Sequence, residues 1–302
     1  MNRKLIVGGL VALLCWAEAV SAQDPSTDTT SGRAPKITYT LTIVNYPHDA
    51  YTQLLGINNA GEIAGYHGNG LNQGFTLKLP NTFTLEELPG AVQTQVTAVN
   101  DLGQTAGFYT DQAGVQHGFL KLGANFKTVD YPGSVGNNQL VALNSASQAV
   151  GFYSQASGPN IYYLYERGKF LLLRLPDQIK SSATITGINN AGQLSGYYLD
   201  KASYFHAFLL SEGQLKALNF PGAGGTVAYG LNNIGQVVGY YFSFLVGHGF
   251  VWSESTGFQT IDVPAGQGTT MVNGINDKGV IVGSAGPCFY EPLTCDGFVG
   301  TP

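Results

Sequence analysis

The phrase GINNAGEIAGY, which begins at Gly56, returns five more times before the chain ends, and this recurrence limits the fold more than any other feature. It reads AVNDLGQTAGFY from Ala98, ALNSASQAVGFY from Ala142, GINNAGQLSGYY from Gly187, GLNNIGQVVGYY from Gly230 and GINDKGVIVGS from Gly274. The first asparagine of each copy falls at Asn58, Asn100, Asn144, Asn189, Asn232 and Asn276, giving spacings of 42, 44, 45, 43 and 44 residues. A period of that size belongs either to propeller blades or to helical arrays. Composition decides between them. The chain has 41 glycines and 12% aromatic residues but only 11% charged residues, where about a quarter is usual. Short strands and tight turns suit that balance, whereas exposed helices need more charge.

Each copy divides into four short runs, which in the fifth are TVAYGLN (226–232), QVVGYY (236–241), GHGFVWS (247–253) and GFQTID (257–262). They are rich in β-branched and aromatic residues, are bounded by Gly, Pro and Asn, and read as strands a to d from the inside outward. The repeats open with a d-type strand, ITYTLTIVNYP (37–47), and stop after a c-type strand, CDGFVG (295–300). The N-terminal strand can therefore complete the last blade, which removes two exposed sheet edges. The expectation is one all-β domain over 37–302, a six-bladed β-propeller of four-stranded antiparallel blades. Its repeats start near residues 52, 94, 138, 183, 226 and 270.

The turn from strand a to strand b carries two signals. Asn58, Asn59, Ala60 and Gly61 fit a type I turn followed by a left-handed glycine. Gly103, Gly192, Gly235 and Gly279 repeat that role, while Ser147 stands there in the third copy and predicts a turn of different type. A second glycine recurs on strand b at Gly65, Gly107, Gly151, Gly196, Gly239 and Gly283, implying close approach by a neighbouring segment.

Residues 1–22 have the form of a secretory signal: Arg3 and Lys4, an apolar run from Leu5 to Trp16, then Val20, Ser21 and Ala22 as a cleavage site. The apolar run falls short of the roughly 20 residues a membrane span needs. Cys15 lies within it, without the small preceding residue that marks a lipid-modified cysteine. Residues 23–36 predict a disordered tether. An exported protein, secreted or periplasmic, is expected. Cys288 and Cys295 would then form a disulfide closing a small loop; a metal or redox pair would need further thiols or a nearby histidine. The net charge of −5 argues against nucleic acid as a partner, and a monomer is expected.

With the triplet His206, Ala207 and Phe208 following GINNAGQLSGYY, the sequence resembles the HAF-repeat family of extracellular bacterial proteins. HGF at His117 and His248 are near copies, and Gln73, Ile161 and Asp296 replace the histidine elsewhere. The likeness covers nearly the whole mature chain. It implies secretion and a repeat β architecture, and it carries no reaction or catalytic residue.

The three histidines sit two strand spacings from the axis, so neighbours should be at least about 10 Å apart, too far to share a zinc ion. They are expected to make hydrogen bonds within their own blades. The six turn asparagines could present a ring of amide oxygens to a hard cation such as calcium, although turn capping accounts for them equally. No other cofactor is implied. Paired aromatics ending strand b, such as Phe108 with Tyr109 and Tyr240 with Tyr241, read as core packing, with sugar-stacking platforms the alternative near loops.

Loop variation points to the face formed by the b-to-c and d-to-a loops. That face gathers His48, Asp49, Tyr51, Asp111, Asp177, Lys180, Asp200, Lys201, Tyr290 and Glu291. Nucleophile-elbow, HExxH, phosphate-loop and EF-hand patterns are absent. The favoured function is a non-catalytic module that binds a polysaccharide or an extracellular protein. A hydrolase or lyase with a carboxylate at the channel mouth, and a purely architectural envelope protein, are the alternatives.

Overall fold

A computed structural model describes residues 36–244, 246–264, 268–288 and 294–302. The expected signal and all of the tether but Lys36 lie outside them, as do Tyr290 and Glu291. Within them the chain forms six antiparallel sheets of four strands arranged as a propeller. The inner strands are Thr52–Ile57, Gln93–Val99, Asn138–Leu143, Thr184–Ile188, Gly225–Leu231 and Thr269–Ile275, each starting within one residue of its expected position. Blades are numbered from one to six in that order. No helix among the described residues is long and apolar enough to cross a membrane.

Ring closure follows the phase of the repeat. The N-terminal strand Thr40–Ile43 pairs with Asp296–Thr301, setting Thr40 opposite Thr301 and Ile43 opposite Phe298, and so becomes the outer strand of blade six. The seam continues where Val44 N donates to Gly297 O at 2.8 Å and Thr52 N to Cys295 O at 2.8 Å.

The triplet that ends in phenylalanine has a packing role in every blade. Phe75, Phe119, Tyr163, Phe208, Phe250 and Phe298 on strand c are each fully buried. Each stands opposite the strand-b glycine of its own blade, Phe75 against Gly65 and Phe250 against Gly239. The segment that crowds these glycines is the inner strand of the same blade. Its register shifts by one residue in every copy, and the bulge leaves Leu55, Thr97, Val141, Thr186, Tyr229 and Asn273 unpaired. A methyl group on Gly65 would lie 2.2 Å from Gln53 O and 3.1 Å from the Phe75 ring. Glycine therefore lets an aromatic side chain lie flat on the sheet beside a bulge, and each buried ring contributes roughly 1.5–3 kcal/mol.

The third turn does not differ from the others. Ser147 adopts a φ of 61°, in the same left-handed region as Gly103 at 69°, and its N–H reaches Asn144 O at 3.1 Å. The hydrogen bonds that Asn144 supplies to the turn hold the serine in a conformation that side chains disfavour.

Candidate functional site

One face of the ring carries the a-to-b turns. Asn58 Oδ1 accepts the N–H groups of Ala60 at 3.0 Å and Glu62 at 2.9 Å, which is turn capping as expected. Its Nδ2 does something further: it donates to Asn100 O in the next blade at 2.9 Å. The same bond runs from Asn100 to Asn144, Asn144 to Asn189, Asn189 to Asn232, Asn232 to Asn276 and Asn276 back to Asn58, at 3.0–3.2 Å. All six asparagines are buried. The amide oxygens, for which a cation was the alternative to turn capping, are directed into their own turns. Among the described residues no group of three or more His, Cys, Asp and Glu is placed to hold a metal ion.

A second ring lies outside the first. The backbone N–H of Asn59, Asp101, Ser145, Asn190, Asn233 and Asp277 each donates to the side-chain oxygen of the equivalent residue in the next blade, from Asn59 round to Asp277 and back. Burial raises the Asp277 carboxyl, but bonds from Asn233 and Asn59 outweigh it and hold it below the usual range. The two rings border a depression of about 70 Å³ floored by Ile57, Val99, Leu143, Ile188, Leu231 and Ile275. The double clasp had a signal in the sequence, since the residue after each turn asparagine is Asn, Asp or Ser in every copy.

On the opposite face the expected residues have local partners. Asp49 accepts from Tyr51 N at 2.9 Å and meets His67 Nδ1 at 2.8 Å. Asp111 accepts from Ala113 N and Val115 N and faces His117 Nε2 at 3.4 Å. Asp200 repeats this with Ala202, Tyr204 and His206 Nε2. Asp177 and Lys180 form an exposed ion pair at 2.9 Å. His48 and Lys201 are exposed loop residues. The structure brings Asp49 and Tyr51 to the Cys288–Cys295 disulfide: Tyr51 bridges to Cys295 and its hydroxyl reaches Cys288 O at 3.5 Å, while Asp49 bonds Tyr51 N. Among the other described residues, Asp111, the Asp177–Lys180 pair and Asp200 with Lys201 lie on three separate loops.

Each strand-c histidine bonds within its own blade: His117 Nδ1 to Asp130 at 2.7 Å, His206 Nδ1 to Asn219 at 2.9 Å and His248 Nδ1 to Asp262 at 3.0 Å. Burial lowers the His117 imidazole, but Asp130 and Asp111 outweigh it and raise it above its ordinary value. A raised folded value contributes stability that is full below an unfolded pKa of about 6.5 and is lost as pH rises through the folded value. Thermal melts of His117→Gln should therefore fall further below the wild type at about pH 5.5 than at about pH 8.5. Equal losses at both would show that the histidine acts only as a neutral hydrogen-bonding group.

The arrangement with the clearest binding chemistry is an aromatic ledge across blades four and five. Ring centroids are 5.7 Å apart for Tyr197 and Phe205, 6.3 Å for Phe205 and Phe242, 5.0 Å for Phe242 and Tyr240, and 5.4 Å for Tyr240 and Tyr229. Tyr197, Phe205, Phe242 and Tyr229 are half-buried, and the disulfide packs in the same cluster. Tyr229 occupies the bulge of the inner strand of blade five. Burial pushes its phenol well above the ordinary range, with Tyr240 and Tyr197 adding to the shift. Beyond the ledge stand Phe244, 100% exposed, and Tyr204, 44% exposed. The paired aromatics of strand b pointed towards this region, but Phe205 and Phe242 lie outside those pairs.

No family model matches the chain, and no curated protein matches it in sequence. Solved structures do. A streptogramin B lyase aligns with a TM-score of 0.53 at 11% identity, covering 86% of this chain and 97% of its own. A TolB-like protein from Agrobacterium tumefaciens aligns at 0.54 and 10%, covering 76% and 88%. A gluconolactonase from Xanthomonas campestris aligns at 0.53 and 12%, covering 84% and 89%. At such identities the likeness is one of fold.

Proposed function

We propose that this protein is an exported binding module that takes a neutral polysaccharide against the aromatic ledge of Tyr197, Phe205, Phe242 and Tyr229. The ledge itself is the observation that carries the reading. Half-buried rings give sugar faces a stacking surface, and phenol hydroxyls add hydrogen bonds without charge. The similar propellers include a lyase and a gluconolactonase, so a reaction on this scaffold is the rival reading. The bulge positions of the inner strands hold Leu55, Thr97, Val141, Thr186, Tyr229 and Asn273, none of them a carboxylate, and the carboxylates that border the axial depression on the other face, Asp101 and Asp277, are both bonded by Asn59 Nδ2, which favours binding over acid–base hydrolysis. The disulfide supports export.

Titration calorimetry with neutral and acidic oligosaccharides tests this. A neutral oligosaccharide should bind, and Phe242→Ala should weaken it about tenfold, equivalent to about 1.4 kcal/mol. Burial keeps the phenols of Tyr197 and Tyr229 protonated, so affinity should stay flat between about pH 5 and pH 9. A preference for acidic sugars, or turnover with a bell-shaped pH profile, would replace the binding reading with another.

A further inference from the structure

We propose that the outer edge of blade three is a docking site for an extended acidic peptide, which adds to the sheet as a fifth strand. The proposal is independent of the aromatic ledge. In five blades the outer strand has a polar residue at its centre: Thr84 opposite Thr76, Lys127 opposite Leu120, Lys216 opposite Leu209, Gln259 opposite Val251 and Thr42 opposite Val299. Blade three has Leu171 opposite Leu164. Lys127 and Lys216 lie over rings of the following blade, 5.2 Å from Tyr165 and 5.0 Å from Trp252. A central lysine is a common guard against unwanted strand pairing. The outer strand Lys169–Leu172 lacks that guard, and no further strand pairs with it among the described residues.

What the edge offers instead is apolar and basic. Leu171 is 64% exposed and Leu172 45% exposed. Lys169 and Arg174, both exposed, bracket the strand and form no ion pair among the described residues. Arg167 stands at the adjoining turn with its side chain 89% exposed and its Nε 3.8 Å from Glu166 Oε1, which leaves Lys169 and Arg174 as the edge's two cations outside an ion pair among the described residues. A groove of about 310 Å³ lined by Leu164, Glu166, Arg167, Lys169 and Leu171 runs beside the strand. This basic edge belongs to a chain of net charge −5.

Geometry selects the occupant. Side chains of Leu171 and Leu172 project to opposite faces of the sheet, so a flat lipid surface covers one and leaves the other. A second copy pairing antiparallel about a two-fold axis would set Leu171 opposite itself, Lys169 opposite Leu173 and Arg174 opposite Gly168, so neither cation would gain a counter-charge. An added strand with an acidic residue at each end and β-branched residues between covers both leucines, uses the open backbone groups and neutralises both cations.

Fluorescence anisotropy of the whole protein with a labelled peptide of sequence EVTVTE, against its twin KVTVTK, tests the assignment. The acidic peptide should bind at least about tenfold more tightly. Leu171→Lys, which installs the residue blades two and four already carry, should abolish that binding while leaving the thermal melt unchanged. The double variant Lys169→Glu, Arg174→Glu should reverse the preference. Equal affinity for the two peptides, no binding at about 1 mM, or binding that survives Leu171→Lys would overturn the proposal. So would a dimer in light scattering that Leu171→Lys dissociates, since the edge would then belong to a second copy.

Discussion

Replacing Gly239 by alanine should unfold most of the protein at temperatures where the wild type is intact, while the same change at Gly235 should be tolerated. Both glycines recur through the repeat, the turn glycine in five copies and the strand-b glycine in all six. A Cβ on Gly239 would lie 1.9 Å from Val227 O and 2.8 Å from Ala228 Cα, both backbone atoms of the inner strand. No rotamer relieves such a contact, so the strand must move and the Phe250 ring with it. The expected cost is on the order of 4 kcal/mol, or about 10 °C in Tm for a domain of this size. Gly235 has a φ of 81° and nothing within 4 Å of its would-be Cβ. Its substitution incurs only the left-handed conformation, about 1–2 kcal/mol. Ser147 already occupies that position in blade three with a φ of 61°. Comparable melts for the two variants would show that the bulged inner strand can retreat, and would remove close approach as the reason for the strand-b glycine.

The contrast between these glycines shows what a sequence of this kind discloses. Blade number, strand positions and the closing N-terminal strand were legible because a repeat reports its phase, and each copy corrects the reading of the others. The disulfide was legible because Cys288 and Cys295 were the only thiols left after the expected signal. For the site, loop variation indicated a face but did not separate one residue on it from another. Asp49, Asp111 and Asp200 looked available because carboxylates in loops usually are, yet each shapes its own loop and contacts a histidine. Phe205 and Phe242 gave no sign, because their contact joins two blades and depends on how neighbouring sheets face each other. Local pattern records strands and turns; contacts between blades appear only once the ring is assembled.

The buried clasp makes the strongest prediction about that assembly, and Asn232→Asp is the variant that isolates it. Asn232 is 3% exposed. Its Oδ1 accepts Gln236 N at 2.9 Å, and its Nδ2 donates to Gln236 Oε1 at 2.7 Å and to Asn276 O at 3.0 Å. Aspartate keeps the shape and the turn cap but replaces the donor by an oxygen that faces the carbonyl of blade six. One oxygen of the buried carboxylate is left without a donor, which costs about 3–5 kcal/mol, so Tm at neutral pH should drop by about 10 °C. The loss must also depend on pH. Burial beside a carbonyl raises the folded carboxyl pKa, so the penalty is absent below the unfolded value of about 3.9 and grows as pH rises towards the folded value. Asn233→Ala, in the solvent-facing ring where the amide bonds Asp277 at 2.8 Å, should cost about 1 kcal/mol or less. If Asn232→Asp melts with the wild type at neutral pH, the blades are held by their apolar faces and the solvent-facing ring, and the inner ring of amides is a turn cap. If it melts low and recovers in acid, each blade is fastened to the next through one side-chain donor, and closure of the ring is specified by the same asparagine that opens every turn.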